Sequence, residues 1–330
     1  MSVTAPPPVA LADLLAPIAD DMLEVDRVIR RRLSSDVALI NTVADYIIAA
    51  GGKRLRPALL LLVAAALGHR GPHRHEMAAV IEFIHTATLL HDDVVDESSL
   101  RRGRSTANEI FGNAAAVLVG DFLYSRSFQM MLAPGEFRIM SILADATNLM
   151  SEGEVLQLMN AHDPDVTEER YLQVIRSKTA CLFEASARLA AVLAGSDPKT
   201  EEACAAYGRH LGTAFQLFDD ALDYSSQSEA IGKNVGDDLR EGKPTMPLIY
   251  LRERGSAADR ALVRTAIEHG DADAIGEVIA ALDRVGAIEY TRERAEREAE
   301  LAAQAIESLS DTPARQVLLQ LCAFSSSRSQ

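Results

Sequence analysis

The chain has 330 residues, a formal net charge of −15, 48% hydrophobic residues and three cysteines. That composition allows a substantial core and argues against wholesale disorder, and the acidic balance excludes general nucleic-acid binding through a basic surface. Cys181, Cys204 and Cys322 form no CxxC pair and no even framework, which suits a reducing compartment such as the cytoplasm.

Residues 1–9 are proline-rich and read as a flexible N-terminus. The opening stretch MSVTAPPPVALADLLAPIADD lacks the basic region of a secretory signal. The longest apolar run, PALLLLVAAALG at 57–68, is too short to cross a bilayer, so no stable membrane anchor is expected. From residue 10 onward apolar residues recur at helical spacing. The breaks GHRGPHRHE, APGE, AHDPDVTEE, AGSDPKT and EHGDAD separate the segments. No run of period-two alternation with Asn-Gly turns calls for a sheet. The segment AIEYTRERAEREAELAAQAIESL reads as a solvated amphipathic helix. The expectation is an all-α protein, one large single-domain helical bundle over residues 10–325 with a frayed tail at 326–330.

Within this pattern LLHDDVVDES, residues 89–98, places three aspartates at the end of an apolar helical run. A buried, unpaired carboxylate is costly, so cations should accompany them. Asp92 and Asp96 lie one helical turn apart on one face. Two such carboxylates suit a hard divalent ion such as Mg2+, which takes one or two protein carboxylates and completes its shell with water and phosphate. One such motif alone reads equally well as a solvated helix end. FQLFDDALDY, residues 215–224, repeats it as Asp219, Asp220 and Asp223. Two triplets facing each other across a bundle could not stay ionised without several cations, which favours a multi-metal site. Basic residues stand close by: Arg101, Arg102 and Arg104 follow the first triplet, Lys233 and Lys243 follow the second, and GGKRLRP brings Lys53, Arg54 and Arg56. In an acidic chain this combination points to an anion held by metal and Arg/Lys together, and diphosphate fits best. Any single one of these cations also reads as half of a surface ion pair.

Two look-alikes are set aside. GDDLREGKP has glycines one residue too far apart for a P-loop, and Pro244 stands where Ser/Thr is needed. Glu82 and His85 form a single ExxH unit, and a di-iron bundle needs two.

Taken together, GGKRLRP, LLHDDVVDESSLRRGRSTAN, GNAAAVLVGDFLY, EGEVLQL, RSKTACLFE, GTAFQLFDDALDY and GKNVGDDLREGKPTMPL resemble the trans-polyprenyl diphosphate synthases, most closely the bacterial octaprenyl type. The resemblance runs from about residue 10 to the C-terminus. It implies an isoprenoid-synthase helical bundle with a central cavity. The implied reaction is Mg2+-dependent condensation of isopentenyl diphosphate onto an allylic diphosphate such as farnesyl diphosphate, repeated to a long chain for quinone side chains. It implies Asp92, Asp96 and Asp219 as metal ligands, with Asp93, Asp220 and Asp223 in supporting roles. It implies Lys53, Arg56, His85 and Arg102 at the isopentenyl diphosphate site, and Arg101, Lys178, Thr179, Gln216 and Lys233 around the allylic diphosphate and the cation. A homodimer is also implied. Thr179 can bond back to the preceding turn and bend its helix, aiming Lys178 and Thr179 at the cavity.

Product length has a geometric handle. At about 1.5 Å per residue, a position five before Asp92 lies roughly 7 Å deeper along the helix. Short-chain relatives carry a bulky aromatic there, whereas this chain has Ala87 and Thr88. An open channel and a long product are therefore expected, with its floor among Phe128, Met130 and Met131, Met131 first. The small residues argue against a short-chain farnesyl or geranylgeranyl synthase. Two complete acid triplets argue against a non-catalytic regulatory subunit.

Overall fold

The protein is described by a computed structural model covering residues 11–49, 51–101, 103–225 and 236–326. The N-terminal third contains α1 (Leu11–Leu15), α2 (Ala19–Leu33), α3 (Ala38–Ala49), α4 (Leu55–Ala66) and α5 (His73–Val95). A two-stranded antiparallel hairpin, β1 (Leu100–Arg101) with β2 (Arg104–Ser105), follows. It is a small departure from the strictly helical expectation. The chain continues through α6 (Ala107–Phe111), α7 (Asn113–Met131), α8 (Phe137–Asn160) and α9 (Glu168–Ile175). A π-helical turn, Arg176–Ala180, leads into α10 (Cys181–Leu193) and α11 (Pro198–Asp223). Last come α12 (Asp237–Arg240), α13 (Met246–Arg254), α14 (Ala257–His269), α15 (Ile275–Val285), α16 (Ala287–Ala305) and α17 (Pro313–Ser326). All five polar breaks picked out above mark helix boundaries, four of them extending into the first or last turn of a helix.

Helix α4, LRPALLLLVAAA, is apolar on every side and is accordingly buried almost throughout, packed on α5, α10 and α17. Helix α2 buries Val25, Val28, Ile29 and Leu33, one face at helical spacing. Helix α11 starts cleanly because Asp197 accepts from the amides of Lys199 and Thr200 and Pro198 occupies the first turn. Ser256 and Asp259 form a reciprocal capping box at α14.

The charged segment at the C-terminal end, α16, is less solvated than its composition implies. It buries Thr291, Ala295, Glu298, Ala299 and Ala302 against α11. One main apolar cluster joins α2, α4, α5, α7, α8, α10 and α17. Two smaller clusters, one around Tyr224, Leu239 and Ile267 and one around Tyr171 and Phe218, support the end of α11.

Candidate active site

Asp92 lies on the last turn of α5 and Asp96 caps it, with the Asp96 amide still bonded to the Asp92 carbonyl at 2.8 Å. The i,i+4 register therefore survives to the helix end. The Lys178 ammonium lies 3.6 Å from Asp92 and 2.6 Å from Glu154 of α8. Lys243 approaches Asp96 at 3.0 Å and Glu241 at 2.5 Å. Burial pushes the Asp92 carboxyl above its ordinary range, Lys178 opposes that rise, and Asp96 adds to it. Glu154 is pushed up by burial in the same way. Lys243 shows the complement: burial lowers it, but Glu241 and Asp96 outweigh burial and raise it. Asp93 is turned away from this pair and is buried. Its carboxylate takes two bonds from Arg101, at 2.8 Å from Nε and 2.7 Å from Nη2, which fastens the hairpin to α5.

The second triplet is held differently. Asp220 and Asp223 are buried, and Asp219 is half-buried. Asp220 accepts from the Tyr171 hydroxyl and, at 2.7 Å, from Gln216 Nε2. The Gln216 carbonyl oxygen accepts from the Thr179 hydroxyl at 3.1 Å. Burial, followed by the charge of Asp238, drives the Asp220 carboxyl well above its ordinary range. Asp223 accepts from the Asp238 amide at 3.2 Å.

The helix is irregular at SKT, but not through a back-bonding threonine. A π-turn forms, and Gly153 of α8 makes room for it: a Cβ there would lie 2.7 Å from the Lys178 amide nitrogen. Thr179 spends its hydroxyl on Gln216 instead.

The early basic loop runs through two left-handed residues, Gly51 and Arg54. Arg54 pairs with Asp26, and Lys53 is exposed. Arg56 Nη1 lies 3.1 Å from His85 Nε2, and its guanidinium sits 4.6 Å from the Phe183 ring centroid. A guanidinium only donates, so His85 Nε2 is the acceptor. Burial pulls Arg56 down to about 10, which still leaves it charged at neutral pH. Arg102 and Lys233 lie outside the described residues.

A cleft of about 910 Å³, its open mouth included, lies beside this loop and is bounded by Tyr46, Ile47, Phe83, His85, Asp93 and Arg101 among others. It follows the flank of α5 toward α3, not the flank of Ala87 and Thr88. Ala87, Met130 and Met131 are buried in the main cluster. Phe128 is 44% exposed on the outside of α7, so it cannot floor a channel within this chain. Tyr171, Glu154, Asp238 and Glu241 join the site without having been singled out by spacing. Only the runs EGEVLQL and GDDLREGKP hinted at three of them. Tyr171 carried no local signal at all.

Among the described residues no three His, Cys, Asp or Glu side chains converge as a ready-made metal cage. Two carboxylates on one turn are nonetheless what a hard divalent ion bound mainly through substrate phosphates requires. None of the described helices is long and apolar enough to cross a membrane.

Known proteins resemble this chain in sequence and fold. Residues 37–285 match the family model described as polyprenyl synthetase. The chain is 53% identical over 304 residues to the octaprenyl diphosphate synthase of Escherichia coli (strain K12), covering 92% of this chain and 94% of that one. Among solved structures, a polyprenyl synthase from Caulobacter crescentus CB15, complexed with calcium and isoprenyl diphosphate, superposes with a TM-score of 0.94 at 42% identity, covering 98% and 99% of the two chains. A decaprenyl diphosphate synthase from Rhodobacter capsulatus gives 0.91 at 45% identity, covering 96% and 98%. The chain thus belongs to the polyprenyl synthetase family and is a prenyltransferase with the all-α isoprenoid synthase fold, joining isopentenyl diphosphate to an allylic diphosphate.

Proposed function

We propose that the protein is a long-chain, all-trans-polyprenyl diphosphate synthase with an octaprenyl-like product, using Mg2+ and serving quinone side-chain synthesis in the cytoplasm. The observation that carries the reading is the pair of lysines from separate segments, Lys178 and Lys243, each against one aspartate of the α5 motif. A diphosphate entering between them meets cationic donors on both sides and carboxylates able to share a divalent ion with it. Asp92, Asp96 and Asp219 would hold the metal. When bound, it neutralises charge on the departing diphosphate. The calcium in the Caulobacter crescentus relative supports a hard divalent ion in that role.

Lys53, Arg56, His85 and Arg102 bind isopentenyl diphosphate, with Arg56 fixed against His85. Arg101, Lys178, Lys233 and Lys243 bind the allylic diphosphate. Thr179 and Gln216, locked to each other and to Asp220, face the cation, and Asp93, Asp220 and Asp223 keep these groups in place. The buried apolar walls exclude water that would quench the cation. Small residues at Ala87 and Thr88 support a long product, and the octaprenyl and decaprenyl names of the relatives support that class.

Nine of the sixteen exposed large apolar side chains among the described residues lie on α7, α8 and their connection, including Leu118, Phe137, Leu158 and Met159. That supports a homodimer formed through these two helices.

The test is a product assay with farnesyl diphosphate, isopentenyl diphosphate and Mg2+, sized by mass spectrometry. Long chains of narrow distribution, abolished by EDTA, are expected, and Ala87→Tyr should shorten them sharply. No elongation from farnesyl or any shorter primer would overturn the catalytic reading and favour a partner subunit.

A further inference from the structure

We propose that His162 is a positioning residue for Lys243: it clamps the Glu241–Lys243 turn in place and thereby sets affinity for the allylic diphosphate. This rests on the assignment of Lys243 to that diphosphate.

After α8 ends at Asn160, His162 takes a φ of 60°, a left-handed conformation uncommon for a residue with a side chain. Its main-chain N–H donates to the Gly242 carbonyl at 2.8 Å. Its imidazole Nδ1 lies 3.1 Å from the Ile267 carbonyl at the end of α14. A carbonyl only accepts, so Nδ1 carries the proton. One residue therefore ties the end of α8, the loop before α13 and the end of α14 together.

The fit around it is close. Gly242 has a φ of 65°, and a Cβ on it would strike the imidazole. Gly270 has a φ of 61°, and a Cβ there would lie 2.6 Å from the Arg240 carbonyl and 3.5 Å from the imidazole Cε1. Three turns nest against one another with the imidazole between two of them.

Lys243 is the next residue after the clamped glycine. Its amide donates to the Asp238 carbonyl at 2.8 Å, and its ammonium reaches Asp96 at 3.0 Å. With Gly242 tied on one side and Asp238 on the other, the Lys243 Cα has little freedom, and its ammonium is aimed before any substrate arrives. Preorganisation of this kind appears as affinity because less ordering is left for binding. His162 itself lies at the outer surface and is exposed on one side, so it does not touch the reacting groups.

The test measures a single condensation with each substrate varied separately at saturating Mg2+, alongside thermal melting. His162→Ala is expected to raise KM for the allylic substrate several-fold, toward the roughly tenfold typical of a misplaced charge-assisted contact, with kcat and KM for isopentenyl diphosphate nearly unchanged. His162→Asn should restore the allylic KM, since Asn tolerates the left-handed backbone and can donate to the Ile267 carbonyl. Gly242→Ala should reproduce the defect, and its cost should shrink in the His162→Ala background because the imidazole it strikes is gone. Equal losses on both substrates that track a lower melting temperature, or additive effects in the double variant, would overturn the proposal. Lys243→Ala separates the two layers. Without an allylic KM defect, the assignment of Lys243 fails and takes the proposal with it. If Lys243→Ala shows the defect and His162→Ala does not, the clamp alone fails.

Discussion

At the end of α5, Asp92 and Asp96 face Lys178 and Lys243, whereas on α11 Asp220 is held by Tyr171 and Gln216 and Asp223 by a main-chain amide. The spacing in sequence is the same and the surroundings are opposite. The first pair is half-buried and balanced by the charged side chains of Lys178 and Lys243, themselves paired with Glu154 and Glu241. The second is buried, Asp220 accepts from the neutral Tyr171 and Gln216, and the added charge of Asp238 works against ionisation of Asp220. Two copies of one motif thus meet different surroundings: Asp92 and Asp96 lie against ammonium groups, and Asp220 lies in a polar network with Tyr171 and Gln216. A carboxylate pair is defined electrically by what the tertiary structure brings against it.

That contrast can be broken most severely at α5. Asp92→Asn removes a carboxylate proposed to hold the divalent ion that neutralises the departing diphosphate, and steady-state kinetics should show kcat/KM falling by about 10²–10³-fold. Asp220→Asn should cost less than tenfold in the same assay, because its partners are neutral groups. Equal losses at the two positions would erase the comparison. Next in size is Gly153→Ala. The added Cβ meets the Lys178 amide at 2.7 Å and Ser177 Cβ at 2.9 Å, so the π-turn must shift. Misplacing Lys178 and Thr179 by an ångström should lower kcat by up to about 10²-fold while the fold, followed by circular dichroism, is retained.

Tyr171→Phe sharpens the scaffold side. It leaves Asp220 one donor short and should destabilise the protein by about 1–3 kcal/mol in urea unfolding, with a smaller kinetic effect than Gly153→Ala. The smallest effect concerns Glu298 on α16. Burial pushes its carboxyl up, but His210 at 2.6 Å and Arg176 at 3.4 Å outweigh burial and hold it below its ordinary value of 4.5. A carboxyl with a lowered folded pKa stabilises above its unfolded pKa and loses that contribution as pH falls through the folded one. The melting-temperature gap between the protein and its Glu298→Gln variant should therefore be full at neutral pH and close progressively below about pH 4.5.

Much of this was legible along the chain. Helical periodicity and Gly/Pro breaks predicted the helices, because apolar spacing and cap residues act locally: Asp197–Pro198 opens α11, and Gly270 ends α14. The aspartates and most of the cations were legible because their spacing maps directly onto helix faces. The hairpin at Leu100–Ser105 was not, since two residues per strand leave no periodicity to read. The outward turn of Phe128 was also hidden, because an apolar helix such as α7 does not reveal which face meets the core.

The chemistry on offer, carboxylates beside cations on a helical frame, was therefore already written in residue types and intervals. Which acids meet lysines, which accept from neutral donors, and what holds the lysines in place came only with folding. Tyr171 reaches Asp220 across 49 positions, Lys243 reaches Asp96 across 147, and His162 reaches Ile267 across 105. Contacts of that separation are set by helix packing, and electrostatic environment depends on distance in space, which local sequence pattern does not encode.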